Sequence, residues 1–443
     1  MPTPQTPDLL LVDLHGSLCD PAMNSMNFLN EIAERYPKAI SFAAGRPTEA
    51  FFDTEDVHLY LDRYTTYLRD DRGMRPDEVR RALLQYGPTK GIIAELVCGH
   101  LAKDQCIEVP IQSIVITAGC QEALFLALRA LKATSEDIVL AVSPTYVGLA
   151  GAARLSEMPV WPVRSGPLGI DLDDLDRQVA TARHDGLRPR ALYVIPDSAN
   201  PTGISMDART RRALLTRASQ HGLLVLEDSA YSVYAGPTLA PSLKSLDTGR
   251  TVIQLGSFAK TSIAGARVGY VVADQLTSSG PDGATGLLAD HLSVLKSMLT
   301  VNTSPIAQAV VGGSLLDHGL SLRARNHREI ALYDRNRQLM LEGLSRRFGE
   351  GNEVSWNSPD GGFFLTLTVP FEATDEVLEH SAREHGLLWT PMAYFYGDGG
   401  GLNQIRLSYS QVTPQQIERG LDRLGALLNG CHHGRPFGVA GRL

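Results

Sequence analysis

The residues of this chain that could do chemistry gather around one lysine. Lys260 closes the run Gln254-Leu255-Gly256-Ser257-Phe258-Ala259-Lys260, and Arg267 follows between Gly265 and Gly269. A lysine amine held away from water is more often neutral, so it can attack a carbonyl and form a Schiff base. Ser257 and Arg267 place a hydroxyl and a guanidinium nearby, a combination that suits a phosphate. Asp228 ends the apolar run LLVLED. A carboxylate there is costly to bury without a cationic partner, and a protonated ring nitrogen is such a partner.

Three further stretches place polar or aromatic groups where a strand should end. Ile114 to Gln121 passes from a β-branched run through Gly119 into a helical pattern. The start of a helix carries unpaired N–H groups and a positive dipole end, and glycine allows close backbone approach, so Gly119, Cys120 and Gln121 suit an anion. Pro144-Thr145-Tyr146 follows DIVLAVS, and its aromatic face suits a planar conjugated ligand. Asn200-Pro201-Thr202-Gly203 is a turn sequence following ALYVIP.

The elements that must position these groups are seven short apolar runs: SIVIT, DIVLAV, VWPV, ALYVIP, LLVLED, TVIQLGS and VGYVV. Helical patterns such as Gln121 to Lys132 and Ala208 to Gln220 separate several of them. Strands alternating with helices predict an α/β fold: a mostly parallel, mixed central sheet with helices on both faces. Ligands of such sheets sit at the carboxyl ends of strands, where the chemistry-bearing residues fall. The pattern turns helical from about Asp282 to Leu344, then mixes strands (GFFLTLTV, QIRLSY) with helices (Asp375 to His385, Pro414 to Leu427). Asn24 to Tyr36 has helical spacing, and Ile40-Ser41-Phe42 begins an extended segment. The expected organisation is an N-terminal arm and part of a small domain (1–62), a large ligand-binding domain (63–325), a C-terminal α+β small domain (326–430) and a flexible tail (431–443). In that tail, His432 and His433 could in principle bind a metal, but no metal site is expected.

Bulk properties narrow the class. The 443 residues carry a net charge of -8, with 43% apolar and 20% charged residues, a globular composition without a basic face for nucleic acid. No apolar stretch approaches the ~20 residues of a membrane span. The N-terminus has no positive charge before its short apolar run, which makes it a poor signal peptide. The five cysteines show neither paired spacing nor a CxxC, which fits a reducing, cytoplasmic compartment. No GxGxxG follows the first strand, and there is no P-loop.

Taken together, these segments resemble the fold-type I pyridoxal-phosphate enzymes of the aspartate aminotransferase superfamily, and most of all its α-aminoadipate/kynurenine aminotransferase-like branch. The resemblance runs from about Phe28 to Leu428. It implies pyridoxal 5'-phosphate bound to Lys260 and transfer of an amino group from an amino acid to a 2-oxo acid through a quinonoid intermediate. Lys260, Asp228 and Tyr146 would be the catalytic set. Tyr146 would stack on the pyridine ring, Asn200 and Tyr231 would bond its phenolic oxygen, and Arg267, Ser257 and Gly119 to Gln121 would hold the phosphate. Tyr86, in LQYGPTKG, would reach the phosphate of a neighbouring subunit in a homodimer. Gly45 and Arg46, in ISFAAGRP, would face the substrate, and Arg406, in NQIRLSY, would clamp its α-carboxylate.

Three positions depart from the pattern of many relatives. Ala259 precedes the lysine where a serine is common, Cys120 stands where a hydroxyl residue is frequent, and Arg46 replaces a frequent leucine. Arg46 hints at an acidic or phosphorylated substrate side chain, with pairing to Glu49 or solvent as the ordinary alternative. Other fates of the same intermediate stay open at this stage: elimination, replacement, carbon–carbon bond formation, decarboxylation or oxidation. A ligand-sensing regulator on this fold is a further alternative, disfavoured because no basic DNA-binding domain precedes the phosphate loop.

Overall fold

The computed structural model describes residues 9–19, 31–236, 240–280, 283, 285–349 and 353–431. Residues 432–443 of the expected flexible tail, with His432 and His433, lie outside them, as does the first part of the helix expected from Asn24; position 431, expected to open the tail, is instead the last residue of the C-terminal helix. Of that helix, residues 31–35 are helical.

The seven apolar runs become one seven-stranded sheet. After a short strand β1 (Ile40–Ser41) come β2 (Ile114–Thr117), β3 (Asp137–Ser143), β4 (Val160–Arg164), β5 (Arg188–Val194), β6 (Leu224–Asp228), β7 (Val252–Ser257) and β8 (Gly269–Val272). Their order in space is β2-β8-β7-β6-β5-β3-β4. All neighbours are parallel except β8, which runs antiparallel to both β2 and β7. The central strands are nearly continuous runs of buried Val, Ile, Leu and Ala because helices cover both faces of the sheet. A hairpin of β9 (Leu276–Ser278) and β10 (Thr285–Leu287) follows.

The longer helices are α1 (Glu55–Thr66), α2 (Pro76–Leu84), α3 (Ala94–Gln105), α4 (Cys120–Leu131), α5 (Val147–Leu155), α6 (Leu172–His184), α7 (Ala208–Gln220), α8 (Leu288–Leu299), α9 (Pro305–Asp317), α10 (His327–Phe348) and α11 (Pro414–Cys431). Local chemistry sets several of their starts. Asp171 and Asp207 accept backbone N–H bonds from the first turns of α6 and α7, and proline occupies an early position in α2 and α9. The segment Asp375 to His385 divides into an α-helix over Asp375–His380 and a single π turn over Ser381–His385.

A second, four-stranded antiparallel sheet orders β11 (Ser355–Trp356), β12 (Phe364–Thr368), β15 (Gln404–Ser408) and β14 (Thr390–Pro391) as β11-β12-β15-β14. The N-terminal segment returns to this part of the molecule, since β1 pairs in parallel with β13 (Leu387–Leu388). Phe42, Trp389, Leu365, Ile405 and Leu424 form one core here, separate from that of the large sheet. Helix α10 belongs to both: Tyr333 packs in the larger core, and Met340, Leu344 and Phe348 in the smaller. Helix α1 spans positions 62 and 63 and contributes Tyr64 to the larger core.

Candidate active site

The carboxyl ends of β2, β3, β5, β6 and β7 point the same way, and with the loop after β1 they open onto a cavity of ≈ 530 Å³. Its lining contains Gly45, Arg46, Cys120, Gln121, Tyr146, Asn200, Asp228, Tyr231, Ser257, Lys260, Arg267 and Arg406. These positions are up to 361 residues apart in the chain (Gly45 to Arg406), yet the ends of these strands bring their residues to the same hollow. Gly119 lies just behind the wall, and Tyr86 is 81% exposed outside this chain's own cavity.

Lys260 reaches into the hollow, and its Nζ donates to the carbonyl of Gly45 at 2.8 Å. Burial pushes its pKa down to about 8, and the guanidiniums of Arg406 and Arg267 push in the same direction against the opposing pull of Asp228. Near neutral pH a useful fraction of the amine is therefore unprotonated. The backbone is held as well: the hydroxyl of Tyr234 lies 2.6 Å from the Lys260 carbonyl and 2.8 Å from Asn326 Oδ1, at the start of α10.

Asp228 is 5% exposed at the end of β6. Its Oδ2 accepts from the hydroxyl of Tyr193 at 2.8 Å, and its Oδ1 from the backbone N–H of Ala230 at 3.1 Å. Burial raises the carboxyl pKa above its ordinary value despite these two donors. Tyr193 is a residue that sequence reasoning missed. It lies inside the run ALYVIP, where strand alternation marks it only as buried.

Arg406 projects from β15 of the smaller sheet toward the loop that follows β5 of the larger one. Its Nη1 donates to Asn200 Oδ1 at 2.6 Å, and its Nη2 to the Ala43 carbonyl at 2.9 Å and to Thr390 Oγ1 at 3.3 Å. The guanidinium lies over the rings of Phe364, 4.2 Å from the centroid, and Phe395 at 4.9 Å. Burial lowers its pKa to about 10, which leaves it charged at neutral pH. Tyr231 stands beside Asn200, edge-on to Phe363 at 5.3 Å, and burial raises its phenol pKa. Burial also pushes Tyr146 to about 12 and raises Cys120, so both stay protonated.

Gly119 opens α4 with φ +81°, a backbone setting that glycine adopts without strain. A Cβ at this position would lie 2.5 Å from Arg267 Nη2, so the missing side chain is what lets the guanidinium lie against the helix start. The first N–H groups of α4 and this guanidinium then face one spot. Ser257 ends β7 and accepts from the Ala259 N–H at 3.2 Å, while the Gln121 side chain turns aside to donate to the Gly148 carbonyl at 2.7 Å.

Besides Glu34 and Arg46, the cavity wall thus holds the buried Asp228 carboxylate, the Lys260 amine and the guanidiniums of Arg267 and Arg406. Among the described residues, Asp228, Lys260, Arg267 and Arg406 take part in no ion pair within 4.0 Å, and Arg406 Nε is buried without a partner. Such a set calls for a ligand that brings a cationic ring nitrogen, a carbonyl for an amine, a phosphate and a substrate carboxylate. Pyridoxal phosphate with an amino acid supplies each of these.

The fold and this site define a pyridoxal-phosphate-dependent aminotransferase. The chain belongs to the aminotransferase class I and II family, whose model matches residues 78–424. It is 55% identical over 420 residues to an (S)-3,5-dihydroxyphenylglycine transaminase of Amycolatopsis orientalis, covering 95% of this chain and 94% of that one. It is 32% identical to a 2-aminoadipate transaminase of Thermus thermophilus, covering 89% of this chain and 91% of that one. Among solved structures, it is similar to the α-aminoadipate aminotransferase LysN of Thermus thermophilus, determined with N-(5'-phosphopyridoxyl)-L-leucine. The TM-score is 0.74 at 29% identity, over 94% of this chain and 98% of that one. The Pyrococcus horikoshii kynurenine aminotransferase gives a TM-score of 0.77 at 26% identity, over 92% and 95% of the two chains. These matches favour amino-group transfer over the other carbanion chemistries and over a regulatory role.

Proposed function

We propose that this aminotransferase acts on an arylglycine, (S)-3,5-dihydroxyphenylglycine or a close analogue, with the corresponding 2-oxo acid on the other side of the reaction. The observation that carries this reading is the 55% identity, spanning 95% of the chain, to a transaminase of that amino acid. The cavity is compatible with it. Leu124, Val147, Ile195 and Phe395 supply apolar and aromatic wall for a ring, and Ser41, Arg46 and Gln411 supply polar groups for its hydroxyls.

The proposed roles rest on the family resemblance and are supported by the placement of these side chains around one cavity. Arg406 takes the substrate α-carboxylate on its buried guanidinium, with Asn200 and Phe364 fixing its orientation. Asp228, braced by Tyr193, would keep a proton on the cofactor's ring nitrogen. Asn200 and Tyr231 would bond the phenolic oxygen, and Tyr146 would cover the ring. Arg267, Ser257 and the N–H groups at Gly119 to Gln121 would hold the phosphate. When bound, pyridoxal phosphate supplies an electron sink for the charge left at the substrate's α-carbon. Lys260 would hold the cofactor through its amine, and that amine, neutral and freed once an amino acid is bound, would move the proton of the substrate Cα.

A second reading, a donor with an acidic side chain, rests on Arg46 in the cavity wall and on the 2-aminoadipate relative. A homodimer with Tyr86 reaching the partner's phosphate site is part of the same proposal. It is supported by the exposed apolar side chains Leu84 (70%), Val294 (63%) and Met298 (85%). The division into a large domain over 63–325 and a small domain built from 326–430 plus the N-terminal segment is supported by the two cores, with α1 counted in the large domain. A cytoplasmic location is supported by the free thiols Cys98, Cys106 and Cys120. Among the described residues no helix is long and apolar enough to cross a membrane. A donor panel tests the substrate: kcat/KM highest for arylglycines supports the main reading, and a maximum at 2-aminoadipate or glutamate supports the second.

A further inference from the structure

Below the phosphate-facing start of α4 lies a buried charged cluster that the reaction does not use. Glu122, in the first turn of α4, has its carboxylate 6% exposed, and the Lys296 side chain of α8 is fully buried. Lys296 Nζ donates to Glu122 Oε2 and to Thr300 Oγ1, both at 2.8 Å, and the Thr300 hydroxyl donates to Glu122 Oε1 at 2.7 Å. The remaining contact points at the cofactor site: Glu122 Oε2 accepts the backbone N–H of Ala118 at 2.6 Å.

That last bond resembles the reach-back of an acidic residue in a capping box, displaced one residue upstream. It occupies the N–H just before Gly119 and fixes the turn from β2 into α4. The N–H groups after it are left for a ligand. Thr117 Oγ1, donating to the Gly119 carbonyl at 2.9 Å, pins the same turn from the other side. The segment after α8 is held equally firmly. Thr303 Oγ1 donates to the Ile116 carbonyl of β2 at 3.1 Å. Between the two threonines, Val301 sits at φ +64°, a left-handed setting unfavourable for a β-branched residue that persists only where its surroundings dictate it.

Charge explains why a lysine is needed. An uncompensated carboxylate under a phosphate site would repel the dianion, and a lone buried charge is costly in itself. Lys296 neutralises Glu122, which leaves the carboxylate able to brace the backbone without opposing the ligand. The geometry points to Glu122 and Lys296 as positioning residues for the cofactor's phosphate: Glu122 holds the Ala118–Gly119 turn in shape, and Lys296 cancels the charge of the brace. This inference rests on the reading that Gly119 to Gln121 and Arg267 receive that phosphate.

Two double variants test it, both electrically neutral at the cluster. In Glu122→Gln/Lys296→Met the amide oxygen still accepts from Ala118; in Glu122→Ala/Lys296→Met nothing does. Apo-proteins are titrated with pyridoxal phosphate and, separately, with pyridoxal, which lacks the phosphate. The affinity ratio of the two ligands should stay within about threefold of wild type in the glutamine variant. It should fall by about tenfold in the alanine variant, through weaker pyridoxal phosphate binding alone. Equal ratios in the two variants, or equal losses for both ligands, would overturn the proposal. Should the alanine variant not fold, Lys296→Met alone replaces it: its unbalanced carboxylate should lower the ratio, and the glutamine double variant should restore it. Absence of restoration would also overturn the proposal. A wild-type protein with no preference for pyridoxal phosphate over pyridoxal would instead refute the phosphate-site reading beneath it.

Discussion

The hydroxyl of Tyr193 donates to Asp228 Oδ2 at 2.8 Å, in a place where both side chains are almost wholly shielded from water. A hydrogen bond to a charged acceptor in such surroundings contributes about 1.5–3 kcal/mol. It favours the ionised carboxylate against the burial that raises its pKa. Tyr193→Phe removes the donor and little else. The expected result is a fall of about tenfold in kcat with the cofactor still bound, because the carboxylate holds the ring-nitrogen proton less well. An unchanged kcat would remove Tyr193 from the account.

Lys260 gives a pH prediction with a definite sign. Burial and the guanidiniums of Arg406, Arg267 and Arg46 lower its pKa to about 8, so the reactive neutral form grows as pH rises through 8 and then levels off. The rate at which apo-protein captures pyridoxal phosphate should follow that curve, falling about tenfold for each unit below the pKa. Arg406→Gln removes a positive neighbour of the amine, so its curve should shift to higher pH. A flat profile, or a shift to lower pH in the variant, would contradict the assignment.

Arg406 is expected to discriminate by the carboxylate of its substrate. Arg406→Lys keeps a positive charge but loses the fork that can grip two oxygens at once. The expected loss is about a hundredfold in kcat/KM for α-amino acids, with little change for simple amines. Steady-state kinetics on an amino acid and its decarboxylated analogue would check this, and an equal loss on both would count against the clamp.

Arg46 lines the cavity from the loop after β1, and its carbonyl accepts from Ser410 Oγ at 2.6 Å. The backbone is therefore tethered whatever the side chain does, so Arg46→Leu should leave the loop in place. If the guanidinium reads the polar end of a substrate, the variant loses about tenfold in kcat/KM for acidic or hydroxylated side chains relative to alanine. Unchanged relative preference would show that Arg46 does not read the substrate.

Much of this was legible in the sequence, and the reasons are physical. All seven strands of the central sheet announced themselves as short apolar runs, the inner ones because both faces of the sheet are covered, whereas edge strand β4 is only partly buried. Lys260, Asp228 and Asn200 were visible because a polar residue at the end of such a run has to answer for its position. Periodicity says nothing of direction, so the antiparallel setting of β8 came only from the fold. Tyr193 was hidden because a buried tyrosine within a strand looks like core. The Glu122–Lys296 pair was hidden by separation, its members lying 174 residues apart. Tyr86 was singled out by resemblance alone, and a single chain leaves it facing outward.

The most direct test of the account is a single half-reaction. Holoenzyme is mixed with an excess of (S)-3,5-dihydroxyphenylglycine and no oxo acid, and the cofactor is then released and quantified by mass. The account predicts one pyridoxamine phosphate and one 2-oxo acid for each site in the wild type, and neither in Lys260→Ala. Consumption of the amino acid with the cofactor still recovered as pyridoxal phosphate, or the same conversion by Lys260→Ala, would contradict it.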